Sequence, residues 1–154
     1  MIHLRRKYRE ASSLDAAAVT DLAQQFHSQS YQRVIDFNWD KMCDWVDDRI
    51  CSDDSLVLGC WSGKDLAGCI IGMTIQHPYS DTLVAADYIW YVKPEYRGGM
   101  IGVRLMRIFE NWARDAGATQ ILTGATSGVN TERGAALLGR LGYVSAGTLT
   151  YKDV

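Results

Sequence analysis

The chain has little proline, little histidine and almost no net charge. It contains two prolines and three histidines in 154 residues, and its formal charge is -2 at pH 7. So few prolines, together with 47% hydrophobic residues, are typical of an ordered globular protein and exclude a linker-rich chain. Such a small charge gives no general attraction to nucleic acid or anionic membranes, so neither is an expected partner.

The chain also lacks a metal motif and a long apolar run. Cys43, Cys51, Cys60 and Cys69 form no Cys-x-x-Cys pair, so we expect four reduced, mostly buried thiols and no metal site. The basic residues near the N-terminus precede no apolar run, and no segment approaches the ~18 apolar residues that span a bilayer. We therefore expect no signal peptide and a cytoplasmic protein. The length suits one domain over residues 1–154.

The most informative stretch runs from Asp87 to Ala118. Residues 88–92, Tyr-Ile-Trp-Tyr-Val, predict a buried strand, and the residues that follow the next turn predict a helix. Its apolar face would carry Ile101, Leu105, Ile108, Phe109 and Trp112, and Gly117 would end it. Between strand and helix lies the turn Arg97-Gly98-Gly99-Met100-Ile101-Gly102. Its amides would face outward at the positive end of the helix dipole, which predicts a site for an anion such as pyrophosphate.

The other elements follow from periodicity and turn residues. Residues 2–8 predict a first strand, and Ser12 or Ser13 would cap a helix with the apolar stripe Leu14, Ala18, Leu22 and Phe26. A second helix would bury Trp39, Met42, Val46 and Ile50. Strands are predicted over residues 55–61, 66–76, 82–92, 120–125 and 143–151, with a helix from Thr131 that turns Ala135, Leu138 and Leu141 inward.

Two stretches resemble a known family. The run from Tyr91 to Gly102 resembles the acyl-coenzyme A motif of GNAT-type N-acetyltransferases, in which Arg/Gln-x-x-Gly-x-Gly/Ala follows a valine and a proline. Arg97 and Gly102 match its first and last positions, but Met100 replaces the middle glycine. Residues 131–143 are similar to the closing helix of the family, which ends in Leu-Gly-Phe/Tyr. The chain also resembles GNAT proteins encoded by phages and prophages.

The resemblance implies a fold and a cofactor. The fold is α/β (α+β), with a mixed, mostly antiparallel central sheet flanked by helices and a parallel crossover after the cofactor-binding turn. The expected cofactor is acetyl-CoA (coenzyme A), and the expected partner is an amine acceptor, either a protein or a small molecule. A homodimer is left open. The expected cofactor-binding residues are Trp90, Tyr91, Val92, Arg97, Gly98, Gly99, Met100, Ile101, Gly102, Val103 and Asn130.

The catalytic residues are less well matched to the family. The usual glutamate positions, four and six residues before the valine, hold Tyr88 and Ala86, and the usual tyrosine of the closing helix is replaced by Leu138. The candidates are therefore Tyr88 and Asp87 for the base and Tyr143 for the acid. Asp87 should point to the face of the strand opposite to that of Ala86 and Tyr88, unless a bulge intervenes. The alternative is a catalytically inactive GNAT-fold module that binds coenzyme A or a protein partner.

Overall fold

A computed structural model describes residues 5–154 of the chain. Five strands form one sheet in the order β1-β2-β3-β4-β5, in which every neighbouring pair is antiparallel except the parallel pair β4-β5. This confirms the predicted sheet and its parallel crossover. The strands are β1 (Arg6–Glu10), β2 (Ser55–Ser62), β3 (Asp65–Gln76), β4 (Leu83–Val92) and β5 (Gln120–Leu122).

Within residues 5–154, four α-helices cover the two faces of the sheet, and each face has its own core. The helices are α1 (Ala16–Gln29), α2 (Trp39–Ile50), α3 (Ile101–Asp115) and α4 (Thr131–Arg140). α1 and α2 pack on one face through Val19, Leu22 and Val46, whereas α3 packs on the other through Leu105 and Phe109. Alternate residues of β4 serve the two cores, because successive side chains of a strand point to opposite faces. Ile89 and Tyr91 join the first core, and Trp90 and Val92 pack against the second.

The central helix agrees closely with its sequence pattern. Ile101, Leu105 and Phe109 are buried, and Ile108 and Trp112 pack beside them. Gly117 follows the end of the helix with φ +84°, a left-handed conformation that glycine adopts without a steric penalty. α3 therefore starts at the glycine-rich turn and holds that turn against β4.

Two predicted apolar stripes are wrong in part. Leu14 is 96% exposed and Ala18 is exposed, because a short 3-10 turn over Ser13–Asp15 precedes α1 and changes the phase of the helix. The buried positions of α1 are instead Ala16, Val19, Thr20, Leu22 and Ala23. In α4, Leu138 is buried as predicted, but Ala135 is exposed.

The strand boundaries differ most at the two ends of the chain. The first strand was predicted over residues 2–8, of which 2–4 lie outside the described residues, and β1 extends to Glu10. At the other end β5 is three residues long, and no strand forms over 143–151 in the described chain. Gly142 and Gly147 both have positive φ there, so the segment cannot run straight, and Val144 is 90% exposed. Instead, the ring of Tyr151 stacks on that of Tyr31, with their centroids 4.7 Å apart.

Candidate functional site

A bulge in β4 and the short β5 together open the sheet. Ile71 pairs with Ile89 but Gly72 pairs with Asp87, so Tyr88 is an extra residue in β4. Pairing with β5 ends at Ala86 and Leu122, and β4 then continues without it to Val92. The backbone of residues 87–92 therefore faces a gap rather than a neighbouring strand. Such an edge can pair with an extended ligand.

A groove lies beside this gap, between the end of β4, the start of α3 and α4. Its volume is about 630 Å³, and we call it the basic groove because its lining includes Arg97, Arg133 and Arg140. No aspartate or glutamate lines it within residues 5–154. It also contains every predicted cofactor-binding residue: Trp90, Tyr91, Val92, Arg97, Gly98, Gly99, Met100, Ile101, Gly102, Val103 and Asn130. The groove thus offers positive charge to an anionic ligand.

The glycine-rich turn has room for a ligand close to its backbone. Gly98 has φ +85°, which favours glycine, and Met100 caps α3 with its side chain 54% exposed. A Cβ built on Gly102 would meet its nearest neighbour, Trp90, only at 3.7 Å. The Trp90 indole instead donates a hydrogen bond to the Gly102 carbonyl, at 3.2 Å. The first amides of α3, which have no partner within the helix, lie at its positive end beside the basic groove.

Two side chains of the basic groove differ from simple phosphate ligands. Arg97 Nε donates to the Val92 carbonyl at 2.8 Å, so this guanidinium positions the end of β4. Asn130 begins α4 in a left-handed conformation, φ 48° and ψ 42°, and within the described chain its side chain makes no capping bond. The Asn130 side chain therefore does not cap α4, and the residue lines the basic groove.

A cluster that the sequence did not reveal holds the turn in place. The Asp65 carboxylate, at the start of β3, accepts hydrogen bonds from Lys93 Nζ and from the Tyr96 hydroxyl, the latter at 2.8 Å. Lys93 and Tyr96 flank the residues that lead into the turn. Both lie within the motif, but Asp65 is distant in sequence and its pairing with them depends on the register of β3.

A second cavity lies on the face of the sheet covered by α1 and α2. It has a volume of about 850 Å³ and we call it the aromatic cavity, because Phe26, Phe37, Trp45 and Tyr88 are among its lining residues. The Tyr31 amide donates to the Ser127 carbonyl at 3.0 Å, so the segment after α1 is tied to the loop after β5. The two cavities meet at the gap in the sheet. Phe26, Trp90, Gly124 and Ser127 line both of them.

Asp87 occupies the point at which β4 and β5 separate. Its pairing partner in β3, Gly72, faces Phe109 of α3, so the Asp87 carboxyl lies on the α3 face of the sheet, and the residue borders the aromatic cavity at the gap. Burial raises the pKa of this carboxyl to about 6. Its Oδ1 atom is buried and has no protein hydrogen-bond partner among the described residues. A buried carboxylate oxygen without a partner is costly, and such groups are concentrated at functional sites.

Tyr88 and Tyr143, the other two catalytic candidates, lie in different parts of the structure. Tyr88, the bulge residue, borders the aromatic cavity, is 60% exposed and packs against Trp45, with ring centroids 4.8 Å apart. Tyr143 lines neither of these two cavities, and its hydroxyl contacts Met106 Sδ at 3.4 Å. Burial, followed by the nearby Glu110 carboxylate, raises the pKa of Tyr143. This phenol is therefore a weak proton donor placed away from the junction of the cavities.

The mixed sheet, with its parallel β4–β5 pair beside a basic, glycine-rich turn and its flanking helices, matches the fold of an acetyltransferase family. The chain belongs to the acetyltransferase (GNAT) family, whose profile matches residues 16–143. No curated protein matches the sequence significantly. Within the part of the chain that the structure describes, no helix is long and apolar enough to cross a membrane. The cytoplasmic location stays a prediction.

Solved structures of the same family share the fold at low identity. AAC(6')-Iy in complex with the bisubstrate analogue CoA-S-monomethyl-acetylneamine is 14% identical, with a TM-score of 0.77, over 97% of this chain and 98% of that one. A predicted acetyltransferase with acetyl-CoA, from Clostridium acetobutylicum, is 13% identical over 97% and 96%, with a TM-score of 0.76. The ribosomal-protein-alanine N-acetyltransferase of Brucella melitensis biovar Abortus 2308 is 15% identical over 97% and 99%, with a TM-score of 0.71.

Proposed function

We propose that this protein is an N-acetyltransferase that uses acetyl-CoA to acetylate a primary amine of a protein or small molecule. The observation that carries the proposal is the junction of the two cavities beside the unpaired part of β4. One cavity suits a polyanion and the other an organic amine. Both reach the same backbone, so the reacting groups of the two substrates can meet there.

The basic groove fits the cofactor on three counts. Its arginines suit phosphates, the first amides of α3 at the positive end of the helix suit a phosphate, and the unpaired edge of β4 suits the amide-containing arm. When bound, acetyl-CoA supplies the activated acyl group as a thioester. The backbone amides of Trp90 and Val92, which point away from β3, would then stabilise negative charge that develops on the thioester oxygen.

Asp87 is the group we assign as the base. An amine of pKa about 10 is almost wholly charged at neutral pH and must lose a proton before it can attack. Asp87, with a pKa of about 6, is mostly ionised at neutral pH and borders the amine cavity. It would accept the proton through water, while Tyr88 remains the alternative group that positions this water.

No acid from α4 is available, and none is required. Leu138 is 7% exposed and packs in the α3 core, so the usual tyrosine position supplies an apolar contact. A free thiol has a pKa of about 8.5, so a thiolate can leave at neutral pH with only modest help from an acid. Solvent water at the junction of the cavities can protonate it.

The first test measures binding and turnover separately. Calorimetry with acetyl-CoA should show binding, and a thiol-release assay over a panel of amines should show turnover. Binding without release for every amine would favour the inactive module, a reading supported by Ala86 and Leu138 at the usual catalytic positions. The absence of acetyl-CoA binding would reject the proposed function in both forms.

A pair of substitutions tests the base. Asp87→Asn should lower kcat by about 10²-fold to 10³-fold, leave the Kd of acetyl-CoA unchanged and remove the loss of kcat/KM below pH ~6. Tyr88→Phe keeps the ring but removes the hydroxyl. If Tyr88→Phe loses activity on this scale while Asp87→Asn does not, the hydroxyl at position 88 replaces Asp87 as the working group.

A further inference from the structure

The wall of the aromatic cavity has a composition that selects among amines. Two pairs of rings border it: Trp45 with Tyr88, at 4.8 Å between centroids, and His27 with Phe37, at 5.2 Å. Phe26 and Trp90 line the end that it shares with the basic groove. Tyr88 is 60% exposed despite its contact with Trp45, so much of its ring is free to contact a ligand. Aromatic rings thus form much of the wall of the cavity, up to the end that it shares with the basic groove.

The charges that line the cavity are few. Asp36 and Asp87 are its only carboxylates among the described residues, and Lys41 adds one ammonium group. Asp87 lies at the gap in the sheet, where the acetyl group would be transferred, whereas Asp36 and Lys41 are both exposed. The end of the cavity at the gap in the sheet therefore offers one carboxylate to one ammonium group. A ligand with several ammonium groups would leave most of them unpaired, which disfavours its binding.

We propose that the acceptor is a small primary amine with a single positive charge that is joined to an aromatic body, as in an arylalkylamine. This inference rests on the proposed function and specifies its acceptor. The aromatic body would pack against the ring pair Trp45–Tyr88, in the offset or tilted geometry that aromatic rings prefer. The amine would point toward Asp87 at the junction, so the rings and the carboxylate fix the two ends of the same molecule.

Three amines of graded character test the class of acceptor. 2-Phenylethylamine has one charge and a ring, propylamine has one charge and no ring, and neamine has several charges and no aromatic ring. We expect kcat/KM for 2-phenylethylamine to exceed that for propylamine by about 30-fold or more, because burial of a ring is worth considerably more than burial of one methyl group. Neamine should be the poorest of the three. Equal or better turnover of propylamine or neamine would overturn the inference.

Variants of residues that line the aromatic cavity test whether its rings cause the preference for the aromatic amine. Trp45→Leu should reduce the preference for 2-phenylethylamine over propylamine about fivefold or more, and Trp45→Phe, which keeps a ring, should retain most of it. The matched control is Trp112→Leu. Both tryptophans are partly buried and pack a helix on the sheet, but Trp112 packs in the other core and lines neither cavity. A loss of preference in Trp112→Leu equal to that in Trp45→Leu would contradict the assignment.

Variants of Tyr88, whose ring is exposed, provide a second test that does not disturb the core. Tyr88→Leu should weaken the preference, and Tyr88→Phe should retain it even if its turnover is slower, because the preference depends on the ring and not on the hydroxyl. An equal preference in Tyr88→Leu and the unchanged protein, together with an equal preference in Trp45→Leu, would reject the aromatic wall.

Amine binding to the complex with coenzyme A separates this inference from the proposed function. Calorimetry should show that 2-phenylethylamine binds this complex about tenfold more tightly than propylamine, whether or not any amine is acetylated. Selective binding without acetyl transfer would remove the proposed enzyme activity but keep the ligand class. Acetyl transfer without selectivity would keep the enzyme and remove the ligand class.

Discussion

At the scale of single residues, Gly102 allows a requirement for ligand binding to be distinguished from a requirement for folding. An added Cβ at Gly102 would meet Trp90 at 3.7 Å, an ordinary contact, so the protein alone does not require glycine at this position. The amides of the first turn of α3 nevertheless need an open approach if a phosphate is to reach them. A methyl group there would pack against Trp90 and Val92, so any requirement for glycine at this position comes from the ligand rather than from the fold.

We expect Gly102→Ala to lower the affinity for acetyl-CoA by about tenfold or more and to leave stability unchanged or raise it by up to about 1 kcal/mol, since alanine favours helix. Calorimetry and urea unfolding measure the two quantities. Gly139→Ala is the matched control, because it adds the same methyl group to α4 where no atom lies within 4 Å and outside the basic groove. A large loss of stability in Gly102→Ala would show that the residue serves the fold.

At the scale of elements, Gly72 of β3 packs closely against Phe109 of α3. A Cβ on Gly72 would lie 2.1 Å from Phe109 Cε2, far inside contact distance, so the Phe109 ring occupies the space above the strand. Both residues are buried, and neither can move far without disturbing the second core. The bulge in β4 faces the same residue of β3, since Gly72 pairs with Asp87. The contact therefore holds α3, and with it the glycine-rich turn, at a fixed height on the sheet.

Gly72→Ala should lower the free energy of unfolding by about 1 to 3 kcal/mol, because the added methyl group overpacks the core. Phe109→Leu should also destabilise the protein on its own, by leaving unfilled volume. The double variant tests the contact directly. If its loss equals the sum of the two single losses in urea unfolding, the clash between residues 72 and 109 is not the cause.

A second contact ties β1 to the start of α1. Arg9 binds the Asp15 carboxylate through two hydrogen bonds, of 2.7 and 2.9 Å, and lies over the Trp61 ring at 3.8 Å. The bond from Arg9 is the main reason that the pKa of Asp15 lies well below its usual value. The contribution of this pair should therefore be present at neutral pH and be lost as the pH falls below about 4, where Asp15 gains a proton in the unfolded chain first.

Asp15→Asn should cost about 1 kcal/mol at pH 7, since Arg9 is partly exposed and solvent weakens the pair. The difference from the unchanged protein should shrink as the pH falls toward 3. Asp48→Asn, at an exposed position of α2, serves as the control for the loss of one negative charge. A cost that stays constant from pH 7 to pH 3 would mean that the carboxylate charge is not involved.

At the scale of the whole molecule, the sequence predicted the sheet and the basic groove better than the aromatic cavity. The period of α3 and the glycines of the turn are local signals, so the residue pattern by itself is enough to place the motif from Val92 to Gly102. The cavity depends on how α1 and α2 sit on the sheet, and periodicity gives no position for Phe37 or Trp45. The bulge at Tyr88 likewise reflects the register of β3 against β4, which a single sequence does not fix.

The C-terminal segment is the clearest failure of local reasoning. Tyr143 to Tyr151 alternates enough apolar residues to resemble a strand, yet a strand also needs a partner of matching length. β5 offers three residues, and the glycines at 142 and 147 turn the chain away. The local pattern therefore indicates a propensity for strand, but no neighbouring strand in the described fold pairs with this segment.

Asp87 links the site to the stability of the entire chain. Burial raises its pKa to about 6, above that of an unfolded aspartate, so the folded state holds the proton more tightly. Stability must then decrease as the pH rises from about 4 to about 6 and stay reduced above that range. Asp87→Asn should therefore stabilise the protein at pH 7.5, by at most about 3 kcal/mol, with a gain that fades toward pH 4. Urea unfolding at both pH values checks this, and a gain that does not vary with pH would refute it.

The cost of the partnerless Asp87 oxygen also has a consequence for how the protein would evolve in the laboratory. In a population of variants selected only for survival of heating, replacements at position 87 should become frequent, because each one relieves a burial cost. A population selected for acetyl transfer at moderate temperature should retain the aspartate. Sequencing both populations would then compare the frequency of aspartate at position 87. Loss under heat selection and retention under selection for activity would show that Asp87 serves function, without knowledge of the natural acceptor.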